Sequence, residues 1–308
     1  MLTHLDYLYG LVLPGATINS LTDCTPAANL AALQVYAGGS PLPTMQAGFG
    51  AAPAIEFTTP QVHTILGLCG LGGADLSGGN CDLYYRRSTH LAGRAAMSSA
   101  VHLRLRAVRA LLYWTEISAR GKEPATIRCR LVPTFDGSNP PLVPAAGATI
   151  PAAAPAVEVY GLGRCSINGA AVAGVDGWTL SLNPRLVERP DSGEDFPVFA
   201  AVENHNPALS IDTPDLDQWA AAGVTGAALN GTTGAVAYLQ KRRADTGGGY
   251  AWDTQNHIRL TGLYGLASIG QGRGGDKGPA SLALQVAFRV NNLTAAHALT
   301  VERDVAIT

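Results

Sequence analysis

The stretch HLRL at residues 102–105 returns as HIRL at residues 257–260. The two stretches belong to a longer series of matches whose order along the chain is the same in both halves. Partners are 154 or 155 residues apart, about half of the 308-residue chain, and this indicates a tandem duplication of a unit of domain size. The other matches are Pro53–Ala54 with Pro207–Ala208, Thr59–Pro60 with Thr213–Pro214, Arg86–Arg87 with Lys241–Arg242, Lys122 with Lys277, and Pro124–Ala125 with Pro279–Ala280.

A proline- and alanine-rich segment separates the two copies. It reads SNPPLVPAAGATIPAAAPA at residues 138–156 and contains five prolines and no charged residue. This composition favours extended polyproline II and a semi-rigid spacer. A surface loop within one domain is the alternative. The sequence predicts a first domain over residues 1–140, a linker over residues 141–156 and a second domain over residues 157–308.

The hydrophobic pattern is mostly that of β-strands. TIRCRLV (126–132) and SLALQVAFR (281–289) alternate apolar residues with polar or small ones, which predicts half-buried strands. Asn168–Gly169 has the composition of a tight hairpin turn. Thr59–Pro60 and Thr213–Pro214 resemble helix starts, with threonine as N-cap and proline at the first helical position. The predicted fold is mainly β: two tandem β-sandwich or partial-barrel domains, each with one short helix.

The composition limits the function classes. Charged residues make up 14% of the chain, against about 25% in ordinary soluble domains, and this favours a surface covered by partner subunits. The formal net charge of −2 argues against sequence-independent nucleic-acid binding. The first residues, MLTHLDYLYG, lack a basic region, so no signal peptide is expected. No long proline-free apolar stretch predicts a membrane-spanning helix, and no membrane partner is expected.

No catalytic or metal-binding motif is present. The five cysteines include no C-x-x-C pair and cluster with no histidine, and neither G-x-S-x-G nor H-E-x-x-H occurs. The glycine run GQGRGGDKG (270–278) lacks the Ser or Thr of a phosphate-binding loop. We predict His102 and His257 to be outward-facing strand residues. The sequence therefore predicts no catalytic residue, no metal, no cofactor and no enzymatic activity.

Two basic clusters follow predicted strands at corresponding places in the copies. Solvated surface and contact with acidic residues of a neighbouring subunit are both compatible with them. Residues 1–154 carry 10 basic and 8 acidic residues, and residues 155–308 carry 11 and 15, so the halves differ in sign. Opposite charge favours head-to-tail contact between copies. The candidate subunit-contact residues are Arg86, Arg87, Lys241, Arg242 and Arg243.

A family resemblance rests on ISARGKEPATIRCRLVPTFDGSNPPL (Ile117–Leu142). Together with the helix start, the glycine-rich loop and the strand that ends in Arg-Arg before HLRLR, it resembles the closing strand and turn of tail tube proteins of tailed bacteriophages. DKGPASLALQVAF in the second copy is a weaker version. The resemblance covers about 90 residues of each copy, while residues 1–50 and 157–205 align poorly with each other.

The resemblance implies a β-sandwich tube domain and a structural virion role. Six such domains form a ring around a channel, and stacked rings let DNA leave the capsid. A doubled chain implies a homotrimer with pseudo-sixfold symmetry, assembled in the host cytoplasm and located in the phage tail. The implied partners are further copies of the chain, other tail proteins, and genomic DNA that passes without specific binding.

Two other function classes remain open from sequence. Two fused β domains also build pseudo-hexagonal trimers in capsid shells, although a 154-residue unit with a helix barely holds the eight strands of a jelly roll. A two-domain carbohydrate-binding protein is the third reading. The four tryptophans do not recur at matching positions, which weakens that reading because sugar sites use aromatic platforms.

Overall fold

The computed structural model describes residues 4–35, 45–89, 93–151, 158–191, 195–214, 226–242, 255–273, 281–290 and 297–307. These residues are mainly β with a single α-helix, which confirms the predicted fold class. The second predicted helix, after Thr213–Pro214, lies outside the described residues. Within these ranges no helix has the length and apolarity needed to cross a membrane.

The described elements fall on either side of the proline-rich segment. In the first portion, residues 4–151, they are β1 (His4–Leu13), β2 (Ala16–Ile18), β3 (Asp23–Ala27), β4 (Leu30–Val35), β5 (Met45–Ala51), β6 (Ala54–Thr59), α1 (Val62–Cys69), β7 (Ala74–Asp75), β8 (Cys81–Thr89), β9 (Gly93–Arg94), β10 (His102–Ala107), β11 (Arg109–Arg120), β12 (Thr126–Thr134) and β13 (Val143–Ala148).

In the second portion, residues 158–307, the described elements are all strands. They are β14 (Val159–Ile167), β15 (Ala170–Ala171), β16 (Gly177–Ser181), β17 (Arg185–Pro190), β18 (Pro197–Asn204), β19 (Ala208–Thr213), β20 (Ala227–Ala228), β21 (Ala235–Arg242), β22 (His257–Gly262), β23 (Gly265–Arg273), β24 (Ser281–Phe288) and β25 (Thr300–Val305).

Each portion contains an antiparallel sheet with the same strand order. Sheet 1 runs β13-β10-β8-β1-β2, with β9 also paired to β8, and sheet 2 runs β25-β22-β21-β14-β15. The registers agree as well. Leu103 lies opposite Tyr85 in sheet 1, and Ile258 lies opposite Leu239 in sheet 2. The two portions therefore repeat one topology.

The remaining long strands of both portions join in one continuous sheet, which we call the shared sheet. Its order is β20-β23-β24-β19-β16-β11-β12-β6-β3, and β7 also pairs with β11. The second portion contributes β20-β23-β24-β19-β16 and the first contributes β7-β11-β12-β6-β3, again the same order. The two runs meet where β16 pairs with β11.

The predicted alternation of buried and exposed residues is confirmed in the shared sheet. In β12 the apolar Ile127, Cys129 and Leu131 are buried, while Arg128 is exposed. In β24 the apolar Leu284, Val286 and Phe288 are buried in the same way. Side chains from both portions form one contiguous apolar cluster that includes Trp114 and Trp178, which are 1% and 2% exposed. Burial of each such side chain contributes about 1.5–3 kcal/mol.

Helix α1 begins later than the sequence suggests. Thr59 is the last residue of β6, and the N-cap is Gln61, whose backbone N–H donates to Thr59 Oγ1 at 3.2 Å. The Gln61 side chain is fixed by a second hydrogen bond, in which its Oε1 accepts the backbone N–H of Asn19 at 2.9 Å. The threonine therefore orients the cap residue instead of capping the helix. The helix buries Val62, Ile65, Leu66 and Cys69.

The predicted linker over residues 141–156 is wrong for its first half. Residues 143–148 form β13, which pairs with β10 through Leu105 opposite Pro144. Proline is tolerated there because β13 is the last strand of sheet 1 in the described part of the chain, and an edge strand needs donors on one side only. Small side chains and proline fit an edge strand as well as a spacer. Residues 152–157 of the predicted linker lie outside the described residues.

Candidate assembly interface

The contact between β11 and β16 joins the two portions, and we call it the internal seam. Its register pairs Glu116 with Ser181, Ile117 with Leu180 and Ala119 with Trp178. Backbone hydrogen bonds extend the seam at both ends, from Gly121 N to Asp176 O at 2.8 Å and from Leu182 N to Thr115 O at 2.8 Å.

Apolar burial dominates the internal seam. The side chains of Ile117, Leu180 and Trp178 are buried, with at most 2% of their surface exposed. An ion pair also crosses it, from Arg120 Nη2 to Asp212 Oδ2 at 3.0 Å, but these side chains are 67% and 40% exposed. An exposed pair of this kind contributes at most about 1 kcal/mol. The seam is therefore an apolar strand joint with a polar rim.

One end of the shared sheet has the same geometry as the second-portion side of the seam. Strand β3 pairs with β6 as β16 pairs with β19: Cys24 lies opposite Phe57, and Trp178 lies opposite Ile211. An asparagine two residues after each strand repeats too. Asn29 and Asn183 have φ of 45° and 46°, and their side-chain amides donate to Ala52 O at 2.9 Å and Asn206 O at 3.0 Å. Hence β3 is a second copy of the β16 edge.

The other end has the geometry of the first-portion side of the seam. Strand β23 pairs with β24 as β11 pairs with β12, with Ile269 opposite Leu284 and Trp114 opposite Cys129. Short β20 lies on β23 where β7 lies on β11. The stretch 271–273 then corresponds to 116–118, the start of the seam. In the described ranges no strand pairs with that outer edge of β23.

The predicted subunit-contact residues are largely engaged within the chain. Arg87 Nε lies 3.0 Å from Asp6 Oδ1, and Lys241 Nζ lies 2.6 Å from Glu158 Oε1. Arg86 Nε donates to Ala95 O at 2.8 Å. Arg242, the last residue of β21, lies against Gly161 of the paired strand β14, and Arg243 lies outside the described residues. Contact of this group with another subunit stays a prediction.

The two matched histidines are buried, so the expectation that they face outward is wrong. His102 and His257 are 0% and 1% exposed. Nδ1 of each accepts a backbone N–H, from Arg87 at 3.1 Å and from Lys241 at 3.0 Å. In both sheets a β-bulge follows the histidine directly, and a bulge redirects the side chain from the face that simple alternation predicts.

The same contacts correct the alignment by one residue. Arg87, not Arg86, corresponds to Lys241, because both N–H groups bind the matched histidine. The exact recurrence of His-x-Arg in the two halves was the one available signal that these histidines have a shared structural role.

In the described residues we find neither a metal-binding group nor a reactive thiol. No group of three His, Cys, Asp or Glu side chains in those ranges is placed to hold a metal ion. All five cysteines are free, and burial raises the pKa of the Cys69, Cys81 and Cys165 thiols to about 12, which makes them poor nucleophiles. The matched strand edges are therefore the strongest candidate for a functional surface.

Comparison of the sequence with models of known protein families and with curated proteins gives no match.

Proposed function

We propose that this chain is a structural virion protein, a tail tube subunit whose copies close into rings around a channel for DNA. The observation that carries the proposal is the internal seam together with two matching edges, on which no strand of the described residues pairs at the positions that correspond to the seam. Strand β11 accepts β16 within the chain, while β23 and β3 present the corresponding edges at opposite ends of the shared sheet. An exposed edge strand invites pairing with another chain.

A head-to-tail contact through these edges repeats itself. The β3 edge of one copy pairs with the β23 edge of the next, so that every joint in the assembly resembles the internal seam. A heterologous contact of this kind generates a ring when the rotation closes and a filament when it does not. Closure also removes the exposed edges, as in a β-barrel. Six units, the number implied by the family resemblance, require three chains.

The charge of the chain suits a passage that does not retain DNA. A net charge of −2 gives phosphates no general electrostatic attraction and little counterion release. We propose that DNA passes without specific binding, that other tail proteins cap the stack, and that the chain has no catalytic role, no cofactor and no membrane partner. Its place is the virion, after assembly in the host cytoplasm.

Electron microscopy of the purified chain, with sedimentation analysis of its mass, tests the proposal. Rings or tubes built from three chains per ring are the expected result. Closed shells would favour a capsid role, and monomers that bind glycans would favour the carbohydrate-binding alternative. A chain that remains monomeric over a wide range of concentration and salt would overturn the proposal.

A further inference from the structure

A hairpin of the second portion lies over the first portion beside the internal seam. Strands β17 and β18 form this hairpin, and Leu186, Ala200 and Val202 pack against a cluster formed by Leu111, Tyr113 and Val132. A backbone hydrogen bond from Phe135 N to Pro197 O at 2.8 Å fixes the turn end of the hairpin, where Pro197 begins β18. The internal seam thus has two layers, a strand joint and a covering hairpin.

The corresponding surface of the second portion is uncovered. By the register of β23 and β24, Leu266 occupies the place of Leu111, and Ala287 that of Val132. Leu111 is 8% exposed and Leu266 is 46% exposed. Leu266 is more exposed than Leu111 because, among the described residues, no hairpin covers it.

The first portion carries a hairpin that corresponds to the covering one. Strands β4 and β5 pair in the same register as β17 and β18, with Ala32 opposite Gly48 as Leu186 is opposite Val202. An irregularity occurs at the same place in both, between Leu30 and Ala32 and between Arg185 and Leu186. Each hairpin directly follows the edge strand that it accompanies, β3 or β16.

We propose that the β4–β5 hairpin of one copy lies over β23 and β24 of the next copy and covers Leu266. The inference rests on the proposed head-to-tail contact and adds its second layer: β3 pairs with β23, and the hairpin that follows β3 continues onto the neighbouring copy. Its occupant is a second copy of this chain, because the seam inside the chain already shows the same hairpin on the same surface.

The residues at the two seams differ in size. Positions 32, 46 and 48 are Ala, Gln and Gly where the internal hairpin has Leu186, Ala200 and Val202. Two smaller residues and one polar residue bury less apolar area, so the contact between chains is weaker than the contact within the chain. Separately folded chains can then associate reversibly before the ring closes.

Cysteine cross-linking with a short bis-maleimide tests the inference. In the Leu266→Cys/Gln46→Cys variant, position 46 corresponds to Ala200, which packs on the covered cluster. The matched control is Leu266→Cys/Ala47→Cys, because residue 47 is the next in the strand and belongs to its opposite face. The expected result is a ladder of linked chains on a denaturing gel, at least about fivefold stronger for the first pair.

The outcomes separate this inference from the proposed function. Rings that give no linked chains, or equal linking for both pairs, would overturn the hairpin placement and leave the ring intact. Chains that never associate would overturn both. Leu266→Glu gives a second readout: because Leu266 is already half-exposed, the monomer should fold normally, while the concentration needed for ring formation should rise about tenfold or more. Unchanged assembly of this variant would also contradict the inference.

Discussion

At the scale of the residue, the two buried histidines show how the repeat is built. His102 and His257 are buried because a bulge follows each of them in its strand. Each also accepts a backbone N–H of the neighbouring strand, that of Arg87 or Lys241. His102 also has Nε2 2.9 Å from Ala96 O, which fits a tautomer that donates from Nε2 and accepts at Nδ1. The side chain therefore satisfies two backbone groups at once.

Replacement of His102 should destabilise the chain. His102→Ala leaves the Arg87 N–H without its acceptor and opens a cavity, so we expect the free energy of unfolding to fall by about 2–4 kcal/mol. His102→Asn retains an acceptor and should recover part of the loss. Urea denaturation followed by circular dichroism measures both. A change below about 0.5 kcal/mol for His102→Ala would contradict the structural role.

The thiols should be protected at neutral pH and should couple stability to alkaline pH. Burial raises the pKa of Cys69, Cys81 and Cys165 from 9.0 to about 12. An unfolded thiol ionises near pH 9 while the folded one keeps its proton, so stability is fully present below pH 9 and is lost as pH rises towards 12. Ellman's reagent at pH 8 should react slowly with the native chain and quickly with five thiols in urea. Rapid reaction of all five in the native state would contradict this.

At the scale of the element, the internal seam is a strand joint whose stability comes from burial. Trp178 lies opposite Ala119 across it, and within the described residues its indole N–H has no hydrogen-bond partner. The ring is thus retained for its apolar area. Arg120 and Asp212, by contrast, lie at the solvent-exposed rim.

Substitutions at the internal seam should separate the contribution of apolar burial from that of the exposed ion pair. Trp178→Ala should cost about 3–5 kcal/mol of unfolding free energy, and Trp178→Phe clearly less, because it retains most of the buried area and removes an unpaired donor. Arg120→Ala should cost less than about 1 kcal/mol. Chemical denaturation of the three variants gives the order. A larger loss for Arg120→Ala than for Trp178→Ala would show that the rim, not the buried face, stabilises the seam.

The edges of β3 and β23 should join different chains in the register of the internal seam. Ser118 pairs with Thr179 there, and the corresponding positions are Arg273 and Thr25. In an assembled sample, Thr25→Cys/Arg273→Cys should form interchain cross-links with a short bis-maleimide. Thr25→Cys/Ser268→Cys should not, because Ser268 lies about 16 Å further along the strand. Equal cross-linking in both variants would contradict the register.

The strands were predictable from sequence to the extent that their pattern is local. The alternation in TIRCRLV and the Asn168–Gly169 turn, which has positive φ at both residues, depend on a few neighbouring positions and are confirmed. The burial of His102 and the strand at 143–148 were not predictable, because each depends on which strands lie alongside. The internal seam was missed for the same reason: a duplicated sequence gives two similar units but not the edge through which they join.

At the scale of the whole molecule, one chain holds two versions of a single topology fused through a continuous sheet. The strand orders of sheets 1 and 2 match, and the shared sheet ends in an edge of each type. A second copy of the same chain offers the edge that would complement each end. This self-complementarity is why the chain is proposed to assemble rather than to act alone.

An electron cryo-microscopy reconstruction of the assembled particle, at a resolution that traces strands, tests the proposed joint between chains. We expect a closed ring of three chains in which β3 of each chain hydrogen-bonds to β23 of the next, in the register of β16 on β11. A ring in which those two strands face solvent, or join to different elements, would contradict it.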